Sequence, residues 1–275
     1  VLSALLNNTG FGWTLRCLCL IQVIVGIAAA CFMRPRIPLD QQHRPDIRFR
    51  RRGFFRAIVP THNSALNSFL GALTITLQFL HSAAFKSISY YISPYATTLG
   101  LSNILSTTIL AALNAASALS YVVTGKACDV LPHGIIILLI NVAATLLVGA
   151  LFGLASNFAL LLSFAILYGT VNGGFSTTIS PLARQMAKSN STDSSPVFLE
   201  YLAWRGVGGL VGPLITASLY KPSDSSSSKS IWSAKAVYGS HGIGPVVVFT
   251  TVTSAIVAIL SIFIITMRTN RNTRR

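Results

Sequence analysis

The chain has 275 residues, of which 52% are hydrophobic and 10% charged, and it carries a formal net charge of +15. Soluble domains carry roughly 25% charged residues, so this composition, with a mean hydropathy of +0.64, excludes an ordinary water-soluble core. The basic residues gather in the gaps between apolar runs rather than over one folded face, which argues for membrane topology and against nucleic-acid binding.

A helix needs about 20 mainly apolar residues to cross a hydrocarbon layer ~30 Å thick. Seven stretches qualify: residues 13–33, 67–95, 103–124, 134–154, 158–180, 197–220 and 243–267. None alternates like a barrel strand, and lipid leaves no partner for an unpaired backbone amide, so an all-α transmembrane fold is expected. The six residues from Val1 to Leu6 lack the charged start and cleavage site of a signal peptide and read as the tail of an earlier helix.

Between the first span and the other six lie eight arginines: Arg34, Arg36, Arg44, Arg48, Arg50, Arg51, Arg52 and Arg56. Threading the spans alternately puts these on one side with Lys126, Arg184, Lys188, Arg268, Arg271, Arg274 and Arg275. Lys221, Lys229 and Lys235 fall on the other. The arginine-rich side is therefore expected to be cytoplasmic, with the serine-rich stretch around Ser223–Ser230 as an external loop. Beside a span, such a basic block is expected to meet anionic lipid headgroups.

Cys17, Cys19 and Cys31 lie in the first apolar stretch, Cys128 in a connection, and the five histidines have no ligand spacing, so neither a disulfide, a metal site nor another cofactor is implied. No nucleophile, base and orienting group recur together, and no glycine-rich phosphate loop follows a strand, so enzymatic function has no local support.

The informative residues are the polar ones inside spans, where a central charge costs about 2.5–3.5 kcal/mol on insertion scales. In residues 67–95, steps of 100° bring Asn67, Gly71, Thr74, Gln78, Ser82, Ser89 and Ser93 into one sector, with His81 and Lys86 at its margins. Two readings compete: interhelical hydrogen bonding, or a face that meets a polar cavity. Lys86 has a bland alternative too, snorkelling to the interface beside Tyr90 and Tyr91. In the fifth span Asn172-Gly173-Gly174 precedes Pro181, and paired glycines suit either close helix packing or local unwinding. The sixth places Arg205 among Gly206, Gly208, Gly209 and Gly212, five residues after Glu200. Asn114 in the third is expected to hydrogen-bond across helices rather than to contact substrate.

Several segments together resemble the monocarboxylate-transporter-like branch of the major facilitator superfamily, its fungal members in particular. They are Gly10-Phe11-Gly12-Trp13-Thr14-Leu15-Arg16, Arg34-Pro35-Arg36-Ile37-Pro38, Tyr90-Tyr91-Ile92-Ser93-Pro94-Tyr95-Ala96 and Ala112-Leu113-Asn114-Ala115-Ala116-Ser117. The stretches at 169–181 and 206–213 look like later helices of that family. The resemblance implies the tail of helix five and helix six of a twelve-helix transporter in residues 1–33, and the long central cytoplasmic loop in 34–66. It further implies the C-terminal six-helix bundle in 67–267 and a basic cytoplasmic tail in 268–275, with the rest of the N-terminal bundle outside this sequence. It makes the spans at 67–95 and 158–180 cavity-lining.

Departures from the family pattern matter as well. Gly125 and Asp129 match two positions of the superfamily's Gly-x-x-x-Asp-Arg-x-Gly gating loop, but Val130 and Pro132 stand where Arg and Gly are usual. Ser120 and Tyr121 stand where this branch often has Gly-Arg. The expected function is secondary transport of a monocarboxylate or related small organic anion, with proton symport implied by the family and put in doubt by the lost cation. Lys86 or Arg205 would supply positive charge, and Gln78, His81, Asn114 and Asn172 hydrogen bonds. The implied address is the plasma membrane. The alternatives are a non-transporting relative acting as a sensor, and a seven-helix receptor, which lacks its usual Asp-Arg-Tyr and Asn-Pro-x-x-Tyr signatures here.

Overall fold

The computed structural model describes residues 12–13, 16, 19–28, 31, 68–190, 194–220 and 243–273. The arginine block and the serine-rich stretch lie outside the described residues. The chain divides into two compact units, Val1–Arg52 and Gly53–Arg275. The described part of the first is helical and includes a short apolar helix, α1 (Cys19–Ala28).

The second unit is built from long helices: α2 (Phe69–Thr98), α3 (Asn103–Val130), α4 (His133–Leu146), α5 (Phe158–Asn172), α6 (Ile179–Asn190), α7 (Ser194–Leu219) and α8 (Gly244–Thr273). A π-helical turn, Leu147–Phe152, continues α4, and a 3-10 turn, Gly173–Thr178, joins α5 to α6. Among the described residues, five stretches are long and apolar enough to cross a bilayer: Asn103–Val130, His133–Phe152, Phe158–Ala187, Ser194–Leu219 and Gly244–Met267. The α2 helix is as long as any of them but less apolar, because Thr74, Gln78, His81, Ser82 and Lys86 interrupt it.

Local chemistry explains the helix ends. After α2, Gly100 adopts φ 78°, a conformation that costs other residues, and the chain closes a Schellman motif: Gly100 N donates to Thr97 O and Leu101 N to Ala96 O. Leu99 and Leu101 then pack against the core beside that end. The α3 helix runs through Gly125 and Asp129 to Val130, so these two positions lie on a helix and not in a loop, and the connection to α4 shrinks to Leu131 and Pro132. Pro132 sets the stop, since the residue before proline is driven out of the α region and Leu131 has ψ 153°.

Two hydrophobic clusters fill the bundle. One gathers Ile92 and Tyr95 from the end of α2, Ile109 from the start of α3, Val148 and Phe152 after α4, Leu161 and Phe164 from the start of α5, and Val246 from the start of α8. The other gathers Leu70 from the start of α2, Ile136 from the start of α4, Met186 from α6, Val197 from the start of α7 and Ile264 from the far part of α8. Successive helices therefore run in alternating directions, with α5, the 3-10 turn and α6 counting as one continuous run. Lys126 and Arg184, both exposed, lie toward the second cluster's end, where the basic count places the cytoplasm.

Packing has an internal regularity. The closest pairs are α2 with α7 and α3 with α5 and its 3-10 turn; α4 pairs with α8. Exchanging α2–α3–α4 for α5–α7–α8 turns the first pair into the second and leaves the third unchanged. Small residues carry both close pairs: a Cβ on Gly208 or Gly212 would strike the backbone of Phe79 or Ala83, and one on Gly169, Gly173 or Gly174 would strike Leu113, Ser117 or Thr124. The glycines of the fifth span thus do both things the sequence allowed, packing closely and marking a 3-10 break.

Candidate functional site

The polar residues inside the bundle meet at the seam between the two clusters. His81, Asn172 and Arg205 each lie near the middle of a continuous helical run, Phe69–Thr98, Phe158–Ala187 and Ser194–Leu219. At ~1.5 Å per residue, each is roughly 16–21 Å from the start of its run, close to midplane depth for a bilayer-spanning helix.

Four side chains form a directed chain of hydrogen bonds. Arg205 Nη1 lies 3.3 Å from His81 Nδ1, His81 Nε2 lies 2.7 Å from Asn172 Oδ1, and Asn172 Nδ2 donates to Tyr168 Oη at 2.7 Å. A guanidinium only donates, so Nδ1 accepts and the imidazole proton sits on Nε2, facing Asn172 Oδ1. That pairing requires a neutral ring, because an imidazolium would turn a second N–H toward Arg205.

The 3-10 turn supplies the rest. Arg205 Nη2 donates to Ser176 Oγ at 2.9 Å. Phe175 stacks on His81 with centroids 3.6 Å apart and planes 15° from parallel, and its ring centroid lies 5.5 Å from Arg205 Cζ, within cation–π range. The backbone N–H of Gly174 donates to Ser120 Oγ at 2.9 Å, anchoring the turn to α3. The 3-10 turn, wound more tightly than the helix before it, places Phe175 against His81 and Ser176 at the tip of Arg205.

The other expected residues fall elsewhere. Gln78 is completely buried, and neither atom of its amide has a hydrogen-bond partner among the described residues. Lys86 is exposed and lies against α7, where a Cβ on Gly209 would be 3.5 Å from its Cγ; it takes no part in the chain of bonds. Asn114 is exposed and makes no cross-helix hydrogen bond among the described residues, contrary to the sequence expectation. Gly125 and Asp129 lie toward the C-terminal end of α3 and take no part in the chain of bonds among the described residues. Sequence reasoning missed Tyr168, Phe175 and Ser176. The spacing Tyr168–Asn172–Ser176 is i, i+4, i+8 and was a usable signal.

The chain is 25% identical over 219 residues, 80% of its own length, to the MFS-type transporter pynF of Aspergillus niger. It spans 47% of that protein, about half the length of the curated relative it matches. No family model matches the chain, and no solved structure does. Among the described residues the architecture is all-helical, and apolar helices long enough to span, with this distant likeness, support a multi-pass integral membrane protein with a fold like that of major facilitator transporters.

Proposed function

We propose that the chain is part of a secondary transporter in which two helical bundles alternate access to a midplane site, and that its substrate is a monocarboxylate or a related small organic anion. One observation carries this reading: Arg205, a cation near the middle of the bundle, rests on the neutral acceptors His81 and Ser176. A cation inside the bundle with no carboxylate bonded to it among the described residues is expensive unless an anion visits it. The exchange pattern of the helices supports a pair of inverted three-helix repeats, the construction of each half of such transporters.

In this reading residues 1–33 hold the tail of helix five and helix six of a twelve-helix protein, residues 34–66 are the central loop against anionic lipid, and the second unit is the C-terminal half. The complementary N-terminal bundle would face Lys86 and Asn114, both exposed polar groups in otherwise spanning helices. The plasma membrane and coupling to protons are part of the same proposal. The test is uptake of labelled acetate, lactate and pyruvate by vesicles carrying the complete open reading frame, with and without a proton gradient. Saturable uptake that Arg205→Ala abolishes is the expected result; ligand binding without flux would support the sensor reading instead.

A further inference from the structure

The bundle contains two glycine-packed pairs, α2 with α7 and α3 with α5, and the polar seam runs between them. Two bridges cross it. His81 on α2 bonds Asn172 on α5, and Arg205 on α7 bonds Ser176 in the 3-10 turn. That turn is also tied to α3, through Ser120 Oγ on Gly174 N, and a Cβ on Gly174 would strike Thr124. It therefore belongs mechanically to the α3–α5 pair. Its remaining hydroxyl bonds, Thr177 Oγ1 to Gly174 O and Thr178 Oγ1 to Phe175 O, are internal.

We propose that Arg205 is a latch: Ser176 occupies the guanidinium donor that a substrate oxyanion takes, and the exchange releases the Gly173–Thr178 turn from α7, allowing the two helix pairs to shift. This deepens the anion-transport reading and rests on it. A serine hydroxyl is a neutral acceptor and a carboxylate a charged one, and charge-assisted bonds are roughly twice as strong, so the substrate wins the competition. Arg205 is only partly buried, and the poorer hydrogen-bond geometry of a 3-10 segment lowers the cost of rearranging the turn. Packed helix pairs with two discrete arrangements are the usual way a small local change becomes a domain motion.

The experiment uses the full-length protein in proteoliposomes, with labelled lactate as the probe. Ser176→Ala removes the competing acceptor, so the half-saturating lactate concentration is expected to fall roughly threefold to tenfold, while Ser176→Thr keeps the wild-type value. Amide hydrogen exchange at Gly173–Thr178 is expected to quicken in Ser176→Ala without lactate, and in the wild type when lactate is added. A rise in the half-saturating concentration would make Ser176 a substrate contact and overturn the latch, as would unchanged exchange in the alanine variant. A wild type that carries none of the acids defeats the transport reading, and the exchange comparison without acid still decides whether Arg205 holds the turn.

Discussion

His81 and Asn172 are 91 positions apart in the chain, yet Nε2 of one lies 2.7 Å from Oδ1 of the other, and Arg205 determines which of the two donates. This bond joins α2 to α5 at the level where the hydrophobic clusters meet. Everything else at the candidate site is arranged around it.

Asn172→Leu strands two buried groups, the Nε2 proton of His81 and the hydroxyl of Tyr168. Interhelical bonds in membranes contribute on the order of 0.6–2 kcal/mol, so a loss of about 1 kcal/mol in stability is expected. Reversible unfolding in mixed micelles would measure it. A variant as stable as the wild type would show that the bond contributes nothing to the fold.

Glycine substitutions should separate packing from propensity along one helix. Gly208→Ala and Gly212→Ala push a methyl into the backbone of Phe79 and Ala83, whereas Gly206→Ala meets nothing within 4 Å. The first two are expected to lower thermal stability in detergent and the third to leave it unchanged or raise it, by up to about 1 kcal/mol from helix propensity. Equal effects at all three positions would contradict the close α2–α7 approach.

Lys86 and Arg205 are expected to differ. Arg205→Ala should lower kcat/KM for the transported acid about thirtyfold or more, the lower end of what losing a desolvated charge partner costs. Lys86→Ala should change it less than about threefold, since Lys86 is exposed and outside the hydrogen-bonded chain. Uptake kinetics on both variants decide this; the reverse ranking would move the cation assignment to Lys86.

Gln78→Leu replaces a buried amide whose two polar atoms have no partner among the described residues. Removing an unsatisfied pair with little change in volume is expected to be neutral or to stabilise by about 1 kcal/mol. Marked destabilisation in the same micelle assay would mean that the amide is satisfied in the membrane, by water or by the rest of the transporter.

Threading can be checked by thiol labelling. In a background with the four native cysteines replaced, Lys126→Cys is expected to react with an impermeant reagent only from the cytoplasmic side, and Thr97→Cys only from the other, as both parent positions are exposed at opposite ends of the bundle. Labelling of both from one side would refute the alternation of the helices.

Much of the candidate site was legible before any tertiary contact was known. His81, Asn172 and Arg205 stood out because each is a polar group inside a run apolar enough to be a span, and lipid makes such residues costly. Their convergence was not legible. A 100° step assigns a residue to a face of its own helix but says nothing about which neighbour that face meets, so Lys86 and Asn114 looked as eligible as Arg205. Ser176 shares a regular helix face with Asn172, four residues before it, but its bond to Arg205 on another helix was not legible.

The amino-acid order by itself determined the class of molecule and the positions of the apolar runs, because these depend on transfer energies summed along the chain. Tertiary structure alone decided which polar groups share the seam, which glycines are contact points and where α5 breaks. Those outcomes depend on how helices pair, and pairing is set by the fit of small residues against backbones far away in sequence.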